Sequence, residues 1–146
     1  MSLSSQGEVD RRAADHKTEW DGFFLECYSG AVPASASDLA TGNKLAIFSL
    51  NGLGVTGITY EATPTDGVLT LDGSTYSATG LIAGDMTYAR MVKTGDTGAA
   101  STTAVRRQLT IGTGATSDII FSNVTVAVGV PKTLGALTYT ASKQGG

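Results

Sequence analysis

The sequence predicts an all-β fold, an antiparallel β-sandwich or jelly roll with a short N-terminal helical or extended arm. Three observations predict it. From Gly22 onward the chain is a succession of short runs rich in Val, Ile, Thr, Tyr and Phe, the residues that fit a pleated, half-buried surface. Turn signals separate the runs: NGLG, TPTDG, DGS, AGD, TGDTG, GTGATS, SN and GVPK. No helical stretch lies between the strands, so the crossovers a parallel sheet needs are missing.

The elements follow in order. Residues 1–21 form the arm. Within it QGEVDRRAADHKTEW, Gln6 to Trp20, holds good helix formers without proline and reads as three to four helical turns. Its apolar stripe is thin, Val9, Ala13 and Trp20, and a helix of this length is marginal alone in water. It is therefore either an arm that docks on a partner or a helix laid across its own domain. Residues 22–141 form the β domain, with strands expected in FFLECY, KLAIFSL, GITYEA, GVLTLD, STYSAT, MTYARMV, AVRRQLTI, SDIIFS, VTVAV and LGALTYTA. Residues 142–146 are a polar tail. Ile120 and Leu137, each in a closing strand, are expected in the core.

Charge is scarce and uneven. Only 16% of the 146 residues are charged, against about 25% in an average domain, and nine of the twenty-three Lys, Arg, Asp and Glu lie between Glu8 and Glu26. A body this poor in charge is expected to have neighbours over part of its surface. The net charge of -3 argues against nucleic acid, which requires a basic face. No run approaches the 18 or so apolar residues of a spanning helix, and the start MSLSSQGEVDRR lacks a signal-peptide core. Membrane insertion and export by a visible signal are accordingly not expected.

Chemistry-bearing residues are few. Cys27 is the one cysteine, which excludes an internal disulfide and a cysteine zinc site; alternation puts it with Phe23 and Leu25 on a buried face. His16, the one histidine, falls in the charged helix and reads as a solvated residue, not a base or metal ligand. No G-x-S-x-G elbow occurs, and the Gly-rich turns lack the G-K-[ST] ending of a phosphate loop. Asp66, Asp72, Asp85, Asp96 and Asp118 sit in or beside turns, where Asp bonds the local backbone, and their spacing matches no calcium loop. No catalytic, cofactor-binding or metal site is expected.

Two features call for an explanation. YSGAVPASASDLATG, Tyr28 to Gly42, is a long connection with a single charge. It lies either against another subunit, where an unpaired charge would be costly to desolvate, or over the open edge of its own sheet. In AVRRQLTI, Val105, Leu109 and Ile111 define an inward face, so Arg106 points outward and Arg107 shares the core side, reaching the rim or a subunit contact.

Taken in order, several pieces resemble small structural proteins of tailed bacteriophages and prophages. They are a strand ending Y-S-G, a P-A-S-A turn, T-G-x-x-L-A opening the next strand, then A-R followed by G, V-R, a G-T-x-G-A turn with an apolar strand, and a closing L-T-Y-T. The likeness covers most of Phe24 to Thr140. It implies a virion component without catalysis, made in the bacterial cytoplasm. First among such roles is a cement or decoration protein on the outer surface of the phage head, bound to the major capsid protein and to copies of itself. The alternatives are a neck, tail or fibre protein, or a carbohydrate-binding sandwich using Trp20, Tyr60, Tyr76 and Tyr88. The residues expected at a protein interface are Arg11, Arg12, Trp20, Tyr28, Pro33, Arg106 and Arg107.

Overall fold

The computed structural model describes residues 3–141, so the polar tail expected at 142–146 lies outside the described residues. Among the described residues, one α-helix and eleven short strands make up a β-rich fold. The residues divide into two compact units. Among the described residues, one takes 3–21, 59–74 and 136–141, the other 22–58 and 75–135.

The first unit is built on α1 (Gln6–Trp20), over the residues its composition predicts. Ser5 caps it, the hydroxyl accepting from the Glu8 N–H at 3.2 Å, which satisfies one of the first-turn donors. The thin stripe of Val9, Ala13 and Trp20 is buried. It packs beside β3 (Val68–Leu69), which pairs antiparallel with β11 (Tyr139–Thr140). Thus the helix lies across its own unit, the second of its two sequence readings. The contact is close because Asp66 and Gly67, with φ of 52° and 75°, make a tight turn whose Thr65 and Val68 exchange backbone hydrogen bonds, the two-residue hairpin that Asp-Gly favours. The Gly67 N–H donates to Asp10 Oδ1 at 2.6 Å, and a Cβ on Gly67 would strike the Val9 side chain. Leu69, Leu137 and Ala141 complete this core.

The second unit is a seven-stranded sheet in the order β10-β4-β2-β1-β6-β7-β8. Its strands are β1 (Phe24–Tyr28), β2 (Lys44–Leu50), β4 (Tyr76–Thr79), β6 (Tyr88–Val92), β7 (Arg106–Gly112), β8 (Ile119–Ile120) and β10 (Pro131–Thr133). β5 (Gly84–Asp85) and β9 (Thr125–Val126) pair separately. Pairing is antiparallel except between β7 and β8, which run parallel, so the large sheet is mixed. GITYEA makes only isolated bridges at Ile58 and Tyr60, while β5 and β10 arise in stretches that read as turns. Pro131 fits in β10 because that strand is an edge, where a missing N–H costs no ladder bond.

Phe23, Leu25 and Cys27 are fully buried, as their alternation predicts. Phe48 packs on Phe121 with ring centroids 5.8 Å apart. Ile120 departs from expectation: it is 54% exposed, because in the two-residue edge strand Ile119 takes the inward position. Phe48→Ala is expected to cost about 3–5 kcal/mol and Leu137→Ala about 2–5 kcal/mol, whereas Ile120→Ala should stay within about 0.5 kcal/mol. Denaturant unfolding of the three variants checks this, and a large loss at Ile120 would contradict the placement of β8.

Candidate functional site

The central strands β2-β1-β6-β7 present two faces, and both are covered. Leu25, Cys27, Phe48, Met91 and Leu109 stand on the apolar one. By alternation the opposite face carries Glu26 and Tyr28 on β1, Tyr88 and Arg90 on β6, and Arg106 and Gln108 on β7. The register sets Glu26 beside Arg90 and Arg90 beside Gln108, giving a polar row inside the protein.

The segment 30–42 lies over this row as a strap. Its ends meet: Gly30 and Gly42 both have positive φ, 88° and 69°, and a Cβ on Gly30 would stand 3.3 Å from the Gly42 Cα. At Gly42 a Cβ would run into the Ser29 carbonyl oxygen, so glycine is required there for the loop to close. A loop with touching ends that packs as a unit is an Ω-loop. Side chains from the sheet reach its backbone carbonyls: Gln108 Nε2 donates to Pro33 O at 2.7 Å, Arg90 Nη2 to Ser35 O at 3.3 Å and Arg106 Nη1 to Ala36 O at 3.2 Å. Tyr88 Oη donates to Thr41 O and accepts from its N–H, each at 2.8 Å. Backbone bonds from Ser101 N to Ser37 O and from Ala40 N to Gly98 O fasten the other side. The strap is short of charge because carbonyl oxygens meet the sheet's donors directly.

Two ion pairs anchor the row. Arg106 grips Asp96 with two hydrogen bonds of 2.7 Å and also donates to Ala99 O, its side chain only 3% exposed. The bidentate pair holds the Asp96 carboxyl below the usual carboxylate range, helped by the Gly98 N–H, and raises Arg106 in turn. Glu26, buried, binds Lys44 Nζ and accepts from Tyr28 Oη at 3.0 Å. Burial first, and then the Glu26 charge, push the Tyr28 phenol and the Cys27 thiol upward, so both are neutral at ordinary pH.

The expected interface residues divide. Arg106, read as outward, is half-buried with its side chain covered, because the face it points to lies under the strap. Trp20 and Tyr28 are buried, at 6% and 4% exposure, and Pro33 is half-buried with its carbonyl engaged. Arg12 is half-buried and donates to Ser4 Oγ at 3.0 Å. Arg11 is exposed, 4.0 Å from Asp15. Arg107 shares the face of Leu109, as its parity predicts, and is exposed. Val105, expected inward, precedes β7 and is exposed.

His16 is not a solvated residue. It stacks on Tyr139 with centroids 3.7 Å apart, and Nε2 lies 3.2 Å from Tyr60 Oη. Trp20, Tyr60, Tyr76 and Tyr88 are all buried, which removes them as a stacking platform for a sugar. Asp72 and Asp96 bond the backbone N–H two residues on, as turn aspartates do, while Asp85 and Asp118 tie neighbouring segments at Thr125 and Thr110. Among the described residues no group of three or more His, Cys, Asp or Glu could hold a metal ion, and no helix is long and apolar enough to cross a membrane.

Two clefts flank the turn 93–96. One of about 340 Å³ is lined by Thr94, Thr97, Ser101 and Arg106 among others, and one of about 280 Å³ by Phe24, Glu26, Ile47, Val92 and Asp96. Their carboxylates are already paired internally, Asp96 with Arg106 and Glu26 with Lys44 and Tyr28. The residues that organise this region, Arg90, Gln108 and the Asp96–Arg106 pair, stand out in the sequence only through parity. Glu26 and Arg90 alternate with buried apolar residues in FFLECY and MTYARMV, which signals a sheet covered on both sides. No family of known proteins matches the chain, and neither the curated proteins nor the solved structures yield a match.

Removing one partner of the buried pair, by Asp96→Asn or Arg106→Gln, is expected to cost about 3–5 kcal/mol. The sign with pH follows from the lowered Asp96 pKa. Its stabilisation is complete above the unfolded value of about 3.9 and is lost as pH falls through the lower folded value. Asp96→Asn should therefore flatten the acid limb of the stability curve in urea titrations between neutral pH and pH 2, and an unchanged limb would contradict it.

Proposed function

We propose that this chain is a structural protein of a tailed-phage virion, a cement or decoration protein that binds the outside of the head and strengthens the shell of major capsid protein. The finer architecture, a sandwich or jelly roll, belongs to the same reading. One observation carries it: large aliphatic side chains stand in solvent on a surface with few charges. Leu39, Leu53, Leu81 and Val128 are exposed, and Val55 is 82% exposed. Single exposed leucines are ordinary, but this many on a charge-poor β body favour a surface covered by neighbours. The strap supports this role, because internal bonds hold its backbone while Val32 and Leu39 remain exposed.

Contacts of this kind would include copies of the same chain and the capsid subunit, and they need no cofactor. The test is co-sedimentation with intact, DNA-filled heads in an amount near that of the major capsid protein. A few copies per particle would move the protein to the neck, tail or fibre, and none would end the virion reading. Val32→Asp and Leu39→Asp should leave the fold intact and lower retention on stripped heads at least tenfold, since a charge facing an apolar contact is not desolvated cheaply. The charge reversals Arg11→Glu and Arg12→Glu measure what the helix contributes, and a salt-dependent loss there would assign part of the contact to α1.

A further inference from the structure

We propose that the turn carrying Leu53 and the cleft beside it form a self-complementary contact, through which two copies of this chain pair about a two-fold axis. Leu53 and Val55, 74% and 82% exposed, are the two most exposed large apolar side chains among the described residues. Their exposure is built into the turn. Asn51, Gly52 and Gly54 have positive φ, 54°, 71° and 72°, which L side chains rarely adopt and which fixes the path of the chain. Leu53 N–H donates to Leu50 O at 3.3 Å and Leu50 N–H to Thr56 O at 2.8 Å. Gly54 N–H donates to the hydroxyl of the fully buried Ser49 at 2.8 Å. A turn tied at so many points holds its apolar side chains outward, and Leu53 stands as a knob.

The hole lies next to it. Gly54 and Val55 line the cleft of about 280 Å³, together with Phe24, Ile47 and Val92. Phe24 pairs with Val92 and Glu26 with Ile47, so these side chains share the face of the polar row; among the described residues no strap residue lines the cleft. An apolar cavity of about 150 Å³ accepts a benzene ring, so a leucine side chain has room here. Leu53 of the same chain is not among the lining residues and stays in solvent. The character of the surface selects the occupant. Residues 45–60 include no charge; Glu26 and Asp96 in the cleft are held by Lys44, Tyr28 and Arg106, and Lys93 also interacts within the chain. A foreign side chain in the hole would leave Leu53 bare. A second copy covers both, because a two-fold rotation sets each knob into the other's hole and leaves no end open for further growth. One knob and one hole per copy make a smaller contact than the about 1,600 Å² of a standard stable complex, so the pair forms at high concentration or where copies are held side by side. The contact rests on this geometry and does not depend on the virion reading.

The experiment is sedimentation equilibrium of the full chain, without phage heads, from about 10 µM to about 1 mM. A monomer–dimer equilibrium that stops at the dimer is expected. Leu53→Asp changes a side chain that is in solvent within each copy and should weaken pairing at least tenfold, while Val128→Asp, at another exposed aliphatic, should leave it unchanged. A monomer at every concentration, growth past the dimer, a dimer that survives Leu53→Asp, or an equal loss in Val128→Asp overturns the proposal. Cysteine trapping reads the geometry directly, since Cys27, the one natural cysteine, is buried. A copy with Leu53→Cys mixed with a copy with Ile47→Cys should give disulfide-linked mixed dimers under mild oxidation, in excess of those either variant forms alone, and the absence of that excess refutes the contact.

Discussion

The docking of strap carbonyls onto donors of the sheet is the contact on which the second unit depends. A sheet with Glu26, Arg90, Arg106 and Gln108 on one face could leave that face to water, as many antiparallel sheets do. Here the strap shuts water out, so the polar groups beneath it bond inside the protein, apart from Arg90 Nη1, which is buried without an acceptor. The ion pairs, the stacked Tyr28 and Tyr88 rings with centroids 5.1 Å apart and the glycine closure at 30 and 42 all follow from that enclosure. Polar cover also fixes geometry more strictly than an apolar layer would, because carbonyls and guanidinium groups bond only along certain directions.

The sequence made much of this legible and hid the rest for physical reasons. The helix was readable because its run of good helix formers without proline coincides with its final extent. The two-residue turns at Asn51-Gly52 and Asp66-Gly67 were readable because only residues tolerant of positive φ serve there. The buried face of Phe23, Leu25 and Cys27 was readable by alternation. What parity could not supply was whether the opposite face is open. Arg106 therefore read as a surface residue, although its direction along β7 was assigned correctly. Ile120 read as core because a two-residue strand gives alternation too little length to establish which side is buried. The small pairings β5 and β9 are set by tertiary contacts, with no local pattern to announce them.

The candidate site is less legible still. Its essential features join residues far apart in sequence, as when Arg106 meets Ala36 O and Gln108 meets Pro33 O. Backbone carbonyls leave no trace in composition, so a strap that binds through them looks like featureless loop. Its lack of charge was the one visible sign. That sign has two sources, an inner side met by the sheet's own donors and an outer side where Val32 and Leu39 stand exposed.

The first unit draws on three separate stretches of chain, and this constrains how the protein is made. The helix from Gln6 to Trp20 leaves the ribosome well before Leu137, Tyr139 and Ala141, which close the same core. Until they arrive, Val9, Ala13 and Trp20 have an incomplete surface to pack on, and a helix so poor in apolar residues gains little by forming alone. Contacts of such long sequence separation also slow folding, because loop closure must come before any of their stabilisation. Completion of this unit thus waits on the synthesis of residues 136–141, and a chain cut short before β11 would carry a helix with nowhere to settle.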